Sequence, residues 1–324
     1  MRRILVLLVV VIVGWIIYMS FILNTESSAN ISDQSKLKFA GLSGPYLGQK
    51  PPGNKAELFA PGLLSSGDIE LSIAFTPDGK EFSYSIIKAG ASRKWIMMYS
   101  RIENGQWTDP KEFSFNPNHA KGYPFYSPDG KRLFFYSYRE KISPPNNIST
   151  YMWFVEKQNG EWCNPTQIDF EGDFKFRRTR VFITVAANGN LYFPQWIDRN
   201  GNIYVSRYEN GKYLCPKRVS NAINDPGGHH PYIAPDESYM IFDDDRSENN
   251  YGASDLFISF RDKSGKWMKA QNLGERVNTL RDERRPFVSF DGEYFFFASD
   301  KGNPDGHWRL YWIDAGVIEE LRPK

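Results

Sequence analysis

The residues of this chain best equipped for chemistry are arginines, histidines and carboxylates that fall at matching places in a recurring pattern. Arg178, Arg180, Arg284 and Arg285 carry guanidinium groups, whose planar forks grip a carboxylate or phosphate through two hydrogen bonds at once. His229 and His230 add two imidazoles. Gathered on one rim, these residues would hold an anionic ligand such as an acidic saccharide or a peptide carboxylate. Glu70 and Glu283 suggest a different chemistry. Two carboxylates facing one another can act as the acid and base of a glycosidase, with a histidine carrying protons or, in a lyase, binding a metal. Against both stands a plainer reading, in which the arginines pair with Glu70, Asp282 and Glu283 as a solvated rim, surface ion pairs being common and weak.

Other candidates carry less. Asp243-Asp244-Asp245, near Asn249 and Asn250, offers oxygen ligands for calcium, but it lacks the spacing and glycine of a calcium loop and reads as a polar loop between two strands. His119 and His307 are isolated. The chain has no glycine-rich phosphate loop, no Cys/His zinc spacing and no Gly-x-Ser-x-Gly elbow, so neither a cofactor nor a metal site is expected. Cys163 and Cys215 are the only cysteines, and their places on successive repeats point them to opposite strand faces as unpaired thiols.

The elements that must position these groups follow from the repeat itself. Phe75-Thr76-Pro77-Asp78-Gly79, Tyr126-Ser127-Pro128-Asp129-Gly130, Val185-Ala186-Ala187-Asn188-Gly189, Ile233-Ala234-Pro235-Asp236-Glu237 and Val288-Ser289-Phe290-Asp291-Gly292 are copies of one turn, spaced 51, 59, 48 and 55 residues apart. Proline presets φ, aspartate bonds the backbone two residues on, and glycine accepts positive φ. Each turn is followed by an aromatic run such as Leu133-Phe134-Phe135-Tyr136, which reads as a strand buried on both faces. A third, alternating strand then meets Asn104-Gly105, Asn159-Gly160, Asn210-Gly211 or Ser264-Gly265, and Asn-Gly between such runs is a strong hairpin signal. Trp107, Trp162, Tyr213 and Trp267 open a fourth strand.

Four antiparallel strands per repeat of about 50 residues describe a β-propeller blade. The expected fold is all-β, a single propeller over residues 56–324 with five four-stranded blades, six being possible. The fifth repeat lacks a clear fourth strand after Trp312, and Glu57-Leu58-Phe59-Ala60 resembles a fourth-strand end. The N-terminal strand is therefore expected to complete the last blade and remove its exposed edge. Counting back from the turns, the residues opening the innermost strands are Glu70–Ser72, Lys121–Tyr123, 180–182, 228–230 and 283–285. They line one mouth of the channel.

Ahead of the propeller, Met1-Arg2-Arg3 precedes twenty uncharged residues from Ile4 to Leu23, long enough to span a bilayer with the arginines on the cytoplasmic side. Residues 1–29 are read as a membrane anchor or a signal peptide. Their length favours an uncleaved anchor over cleavage after Ala29. Residues 30–55 form a spacer rich in Ser, Gly, Lys and Pro. The rest of the chain is then expected in the cell envelope outside the cytoplasmic membrane, periplasmic or extracellular, touching the membrane through its N-terminal segment only. With 41% hydrophobic and 16% aromatic residues the chain is no disordered protein. Its 40 basic and 38 acidic residues leave a net charge of +2, which excludes a general electrostatic case for nucleic acid.

The Pro-Asp-Gly turns, Ser254-Asp255-Leu256-Phe257-Ile258-Ser259-Phe260-Arg261, the Trp107-to-Pro110 and Trp162-to-Pro165 spacings and Pro231-Tyr232-Ile233-Ala234-Pro235-Asp236 resemble the exported WD40-like propellers of the PD40, or TolB-like, repeat family. The resemblance runs from about Leu58 to Leu321 and implies a binding platform, a part of an envelope complex or a companion of hydrolases or lyases. It departs from TolB in blade number and in lacking an extra N-terminal domain. The expectation is a tethered binding module for an anionic ligand or a protein partner. Its alternatives are a carbohydrate-active enzyme, glycosidase or lyase, and a structural subunit of an envelope complex.

Overall fold

A computed structural model describes residues 39–324, apart from 40, 65–67, 89–94, 114, 116–120, 138–151, 175–181, 198–199, 226, 246 and 304. The apolar stretch Ile4–Leu23, His119, Arg178 and Arg180 lie outside the described residues. Among the described residues no helix is long and apolar enough to cross a membrane.

The chain is all-β and forms a five-bladed propeller. Blade 1 runs outward through Ile69–Phe75, Glu81–Ile87 and Trp95–Glu103. Blade 2 uses Lys121–Tyr126, Arg132–Ser137 and Met152–Gln158, and blade 3 uses Thr184–Val185, Leu191–Ile197 and Asn200–Ser206. Blade 4 uses His229–Ile233, Tyr239–Asp244 and Asp255–Phe260. Blade 5 uses Glu283–Val288, Tyr294–Ser299 and Arg309–Asp314. Its outermost strand is Glu57–Leu58, antiparallel to Arg309–Asp314 with Leu58 opposite Tyr311. The N-terminal strand thus covers the outer edge of Arg309–Asp314.

The turns form as their residues dictate. Thr76 Oγ1 and the Lys80 N–H both donate to Asp78, at 2.6 and 3.1 Å, and Gly79 takes φ 65°. Blade 4 replaces glycine by Glu237, which holds φ 59°. Its carboxylate accepts from Tyr192 Oη at 2.6 Å and Asn190 Nδ2 at 2.9 Å on blade 3, so the strained residue ties two blades together.

The outermost strands depart from the expected single run. The Trp107 segment, Gln106–Trp107, and a second segment, Lys111–Glu112, both pair with the third strand of blade 1. Pro110 stands between them, and a residue without an N–H interrupts the ladder there. Cys163 and Cys215 are unpaired.

Described residues of the spacer lie against the propeller. Tyr46 Oη donates to Asp291 at 2.6 Å, its ring packs between Phe75 and Tyr294, and Trp107 Nε1 donates to the Gly44 carbonyl at 2.8 Å. Inside the channel, Phe125, Tyr232 and Phe287 from three innermost strands pack with ring centroids 6.1–6.3 Å apart. All three are at most 2% exposed, and each such ring contributes about 1.5–3 kcal/mol by leaving water. This aromatic layer fills the channel below the mouth.

Candidate ligand site at the channel mouth

One position recurs seven residues before each turn glycine or its substitute: Ser72, Tyr123, Phe182, His230 and Arg285. In four blades the innermost strand slips register there, between Glu70 and Ser72, Gly122 and Phe125, His229 and Tyr232, and Arg284 and Phe287. Such bulges re-aim a side chain. In three of them the re-aimed residue precedes a proline, Pro124, Pro231 or Pro286, which cannot donate to the ladder. Tyr123, His230 and Arg285 accordingly sit at φ 57°, 38° and 60°, a conformation that side chains resist and that persists only where the surroundings enforce it.

These side chains meet. Tyr123 lies 5.6 Å from Phe182 and 5.9 Å from His230, ring to ring, and Phe182 lies 5.6 Å from His230. The Arg285 guanidinium lies 5.6 Å from the Tyr123 ring centroid and 5.1 Å from that of Trp308, and Arg284 lies 5.9 Å from Trp308. Four blades thus contribute to one cluster. Arg284, Arg285 and Trp308 are half-buried rather than sealed.

The centre of the cluster is Asp243, fully buried. His230 Nδ1 lies 2.9 and 3.0 Å from its two carboxylate oxygens, and the Arg285 backbone N–H donates to it at 3.2 Å. Burial opposes its charge, but His230, Arg284 and His229 hold its pKa well below the usual carboxylate range. Burial pushes the His230 pKa down against the pull of Asp243. With Asp243 ionised and His230 neutral, Nδ1 carries the proton and donates it, leaving Nε2 as an acceptor. Arg284 keeps its charge: burial works against it, yet Asp243, Asp282 and Asp245 raise its pKa, and Asp282 stands 3.4 Å away.

Arg285 is different. Its Nε and Nη1 are buried without a hydrogen-bond partner, and among the described residues no carboxylate lies within ion-pair distance of it. The faces of Tyr123 and Trp308 hold the guanidinium by cation–π attraction.

The two histidines do not work side by side. His229 turns to blade 3, where its ring lies so close to Gly201 that a Cβ there would fall 1.9 Å from Cδ2. Burial pushes its pKa down to about 4; its Nδ1 stands 3.9 Å from Asp243, while His230 makes the close contact with that carboxylate. The two carboxylates expected to face one another are also occupied separately. Glu283 accepts from the Thr279 N–H and Oγ1, each at 2.8 Å, and from Ser299 Oγ at 2.7 Å. Glu70 reaches blade 5, accepting the Leu310 N–H at 3.1 Å. Both are fully buried. Burial raises the pKa of Glu283 and pushes that of Glu70 up to about 7.

Asp243 corrects the reading of 243–245 as a loop, because Asp243 and Asp244 end the second strand of blade 4. A signal for it existed: it stands six residues after Glu237, as Ser85 stands six after Gly79. Ser85 Oγ accepts the Tyr123 N–H at 2.7 Å, as Asp243 accepts that of Arg285. Trp308 is the other residue that sequence reasoning missed.

No family model matches the chain, and no curated protein matches it. Among solved structures, TolB from Acinetobacter baumannii is similar at 19% identity and a TM-score of 0.48, over 77% of this chain and 55% of that one. This chain therefore spans about half the length of that protein. Native Bacillus subtilis arabinanase Arb43A is similar at 13% identity and a TM-score of 0.45, over 77% and 95% of the two chains. The α-L-arabinofuranosidase PaAbf62A from Podospora anserina gives 12% and 0.47, over 86% and 98%. Likeness at this level extends to architecture and assigns no activity. The cavities bounded by described residues, of about 430, 330 and 430 Å³, lie between blades, and none is lined by Arg284, Arg285 or His230.

Proposed function

We propose that this chain is an exported, membrane-tethered propeller of the PD40 type that binds an anionic ligand at its channel mouth. The observation that carries the reading is Arg285, a half-buried guanidinium whose Nε and Nη1 lack partners. Leaving such donors unmet in a folded protein is costly, and an anion that reaches one edge of this half-buried guanidinium would meet one of them. His230 and Arg284, both fixed by Asp243, complete the site, and His229 backs it from the blade 3 side. Arg178 and Arg180 lie outside the described residues and are assigned to it only by their sequence position ahead of the third turn. Export and tethering rest on the arginines before Ile4–Leu23, and PD40 membership rests on the recurring turns and Trp-to-Pro spacings.

A protein partner docking beside the same rim is the second reading. Leu280 is 83% and Tyr251 43% exposed, and the Ala253 N–H bonds the Arg281 carbonyl at 3.2 Å, which sets their two loops against each other. Catalysis by Glu70 and Glu283 draws no such support, since both carboxylates are fully buried and bonded to separate partners.

A thermal-shift screen of acidic and neutral oligosaccharides, peptides and inorganic anions tests the first reading. A ligand at a hundred times its Kd adds about 2.7 kcal/mol of stability. The shift should vanish in Arg284→Ala/Arg285→Ala. No shift with any anion, or an undiminished shift in the double variant, refutes it.

A further inference from the structure

We infer that the cleft between blades 2 and 3, at the turn end of the propeller and away from the channel mouth, docks a tyrosine side chain carried by a segment of a partner protein. The chain itself shows what such a cleft accepts, because its own strap fills the matching place between blades 5 and 1.

At that filled seam the ring of Tyr46 lies 5.0 Å from Phe75 of blade 1, and 4.8, 6.0 and 5.9 Å from Tyr294, Phe296 and Trp312 of blade 5. Its hydroxyl donates to Asp291 Oδ2 at 2.6 Å. Oδ1 of the same aspartate is taken by the turn, accepting from Ser289 Oγ at 2.5 Å and the Glu293 N–H at 3.0 Å. One carboxylate oxygen shapes the turn and the other receives the strap. Tyr46 holds φ 50° in this seat, a strain that enclosing contacts maintain.

Blade 2 repeats the receiving half of this arrangement. Asp129 accepts from Ser127 Oγ at 2.5 Å and the Lys131 N–H at 3.0 Å, again both on Oδ1, and its Oδ2 has no hydrogen bond among the described residues. Phe134 opposite Phe154 stands where Phe296 stands opposite Trp312. Arg132, two residues after its turn glycine, is the counterpart of Tyr294. Across the seam Val185, paired with Leu191, is the counterpart of Phe75, paired with Phe82. Where the strap would lie there is instead a cavity of about 430 Å³, lined by Asp129, Arg132, Phe134, Val185, Tyr208 and Tyr213. Arg132 is held to its wall, with Nε donating to Glu156 at 2.9 Å and the guanidinium 5.1 Å from the Phe154 ring centroid.

The neighbouring seams show why this one stands open. Between blades 1 and 2, Tyr126 Oη and Trp162 Nε1 reach Glu81, the counterpart of Arg132, at 2.8 and 3.1 Å. Val185 stands in the place of Tyr126 and has no such reach. Between blades 4 and 5 the C-terminal tail covers the seam, its Arg322 guanidinium 5.8 Å from the Tyr239 ring centroid and 4.8 Å from that of Phe260. Both ends of the described chain thus cover seams, and neither covers this one.

The occupant comes from another protein. Tyr46 is already seated, and residues 24–38 ahead of the strap contain no Phe, Tyr or Trp. A cavity of this size accommodates a ring, and the spare Asp129 oxygen favours a ring that carries a hydroxyl.

The test uses the full chain in detergent micelles and two fluorescein-labelled peptides, Gly-Pro-Tyr-Leu-Gly copied from the strap and its phenylalanine counterpart, followed by fluorescence anisotropy. The tyrosine peptide should bind about tenfold more tightly than the phenylalanine peptide. Ala187→Trp, at an exposed residue lining the cleft, should weaken both peptides. Asp129→Asn should remove most of the preference for tyrosine. It keeps the Oδ1 acceptor of the turn, as Asn188 does in blade 3, and so guards against a folding defect. A peptide with a photoreactive benzophenone in place of the phenol should label blades 2 and 3. Equal binding of the two peptides, or a preference unchanged in Asp129→Asn, overturns the seat on Asp129. Cross-links at Phe75 or Tyr294 would show exchange with the chain's own strap and overturn the assignment to this cleft. Absence of binding by both peptides overturns the inference and leaves the anion reading, tested separately by thermal shift, untouched.

Discussion

Glu70→Gln should remove a pH dependence that the wild-type protein carries in its closing seam. Glu70 is fully buried between blades 1 and 5, with one carboxylate oxygen on the Leu310 N–H and the other without a hydrogen bond. Burial is the largest cause of its raised pKa, with Asp68 and Asp305 adding to it and the Leu310 N–H and Arg309 opposing. The pKa rises from 4.5 to about 7. The folded state therefore keeps a proton that the unfolded chain has released, and stability present below pH 4.5 is lost as the pH rises through 7. At about 1.4 kcal/mol per pKa unit the loss reaches about 3 kcal/mol by pH 8. Glutamine imitates the protonated acid, so the variant should match wild type near pH 4.5 and exceed it by about 3 kcal/mol at pH 8, several degrees in Tm. His229 titrates with the opposite sign in an overlapping window: its pKa, lowered by burial to about 4, makes stability fall as the pH drops from 6.5. The difference between variant and wild type, followed by urea unfolding from pH 4.5 to 8.5, isolates Glu70. Parallel curves across that range would refute the buried-acid account.

Asp243→Asn should cost about 2 kcal/mol at pH 7, because His230 and Arg284 lose a buried anion while the Arg285 N–H keeps an acceptor; an unchanged urea midpoint would contradict this. Glu237→Gly relieves a positive φ worth about 1 kcal/mol but removes the acceptor of Tyr192 and Asn190. The sum is a net loss of roughly 1–2 kcal/mol, and a stabilised variant in thermal denaturation would show that the interblade contact is idle. Phe59→Ala, at a fully buried ring packed on Phe296 and Trp312, should cost about 3–5 kcal/mol. It should also raise protease sensitivity near Glu57, and a smaller change in both would count against closure through this strand.

Much of the architecture was legible because its signals are local. The turn residues enforce their φ values without help from the rest of the chain, and the aromatic runs after them can only be strands buried on both faces. The closing strand was visible as a deficit in the fifth repeat that Glu57–Leu58 could fill. The site was less legible, for a reason found in its backbone. Reading a strand with period two places His229 and His230, or Arg284 and Arg285, on opposite faces but cannot see a bulge. The bulges, at Tyr123, His230 and Arg285, decide which side chain enters the cluster. Asp243 was misread because three successive aspartates look solvated; only its pairing across blades with His230 and Arg285 makes burial tolerable. Glu70 and Glu283 were rightly placed as strand-opening residues, but their direction depends on Leu310, Thr279 and Ser299, partners that spacing alone does not supply.

The most direct test of the anion reading is a crystal structure of the protein grown with the anion that gives the largest thermal shift, at ten times its Kd. Density is expected at the channel mouth, with the anion within hydrogen-bond distance of the Arg285 guanidinium. Ligand density confined to the clefts between blades, with Arg285 untouched, would contradict it.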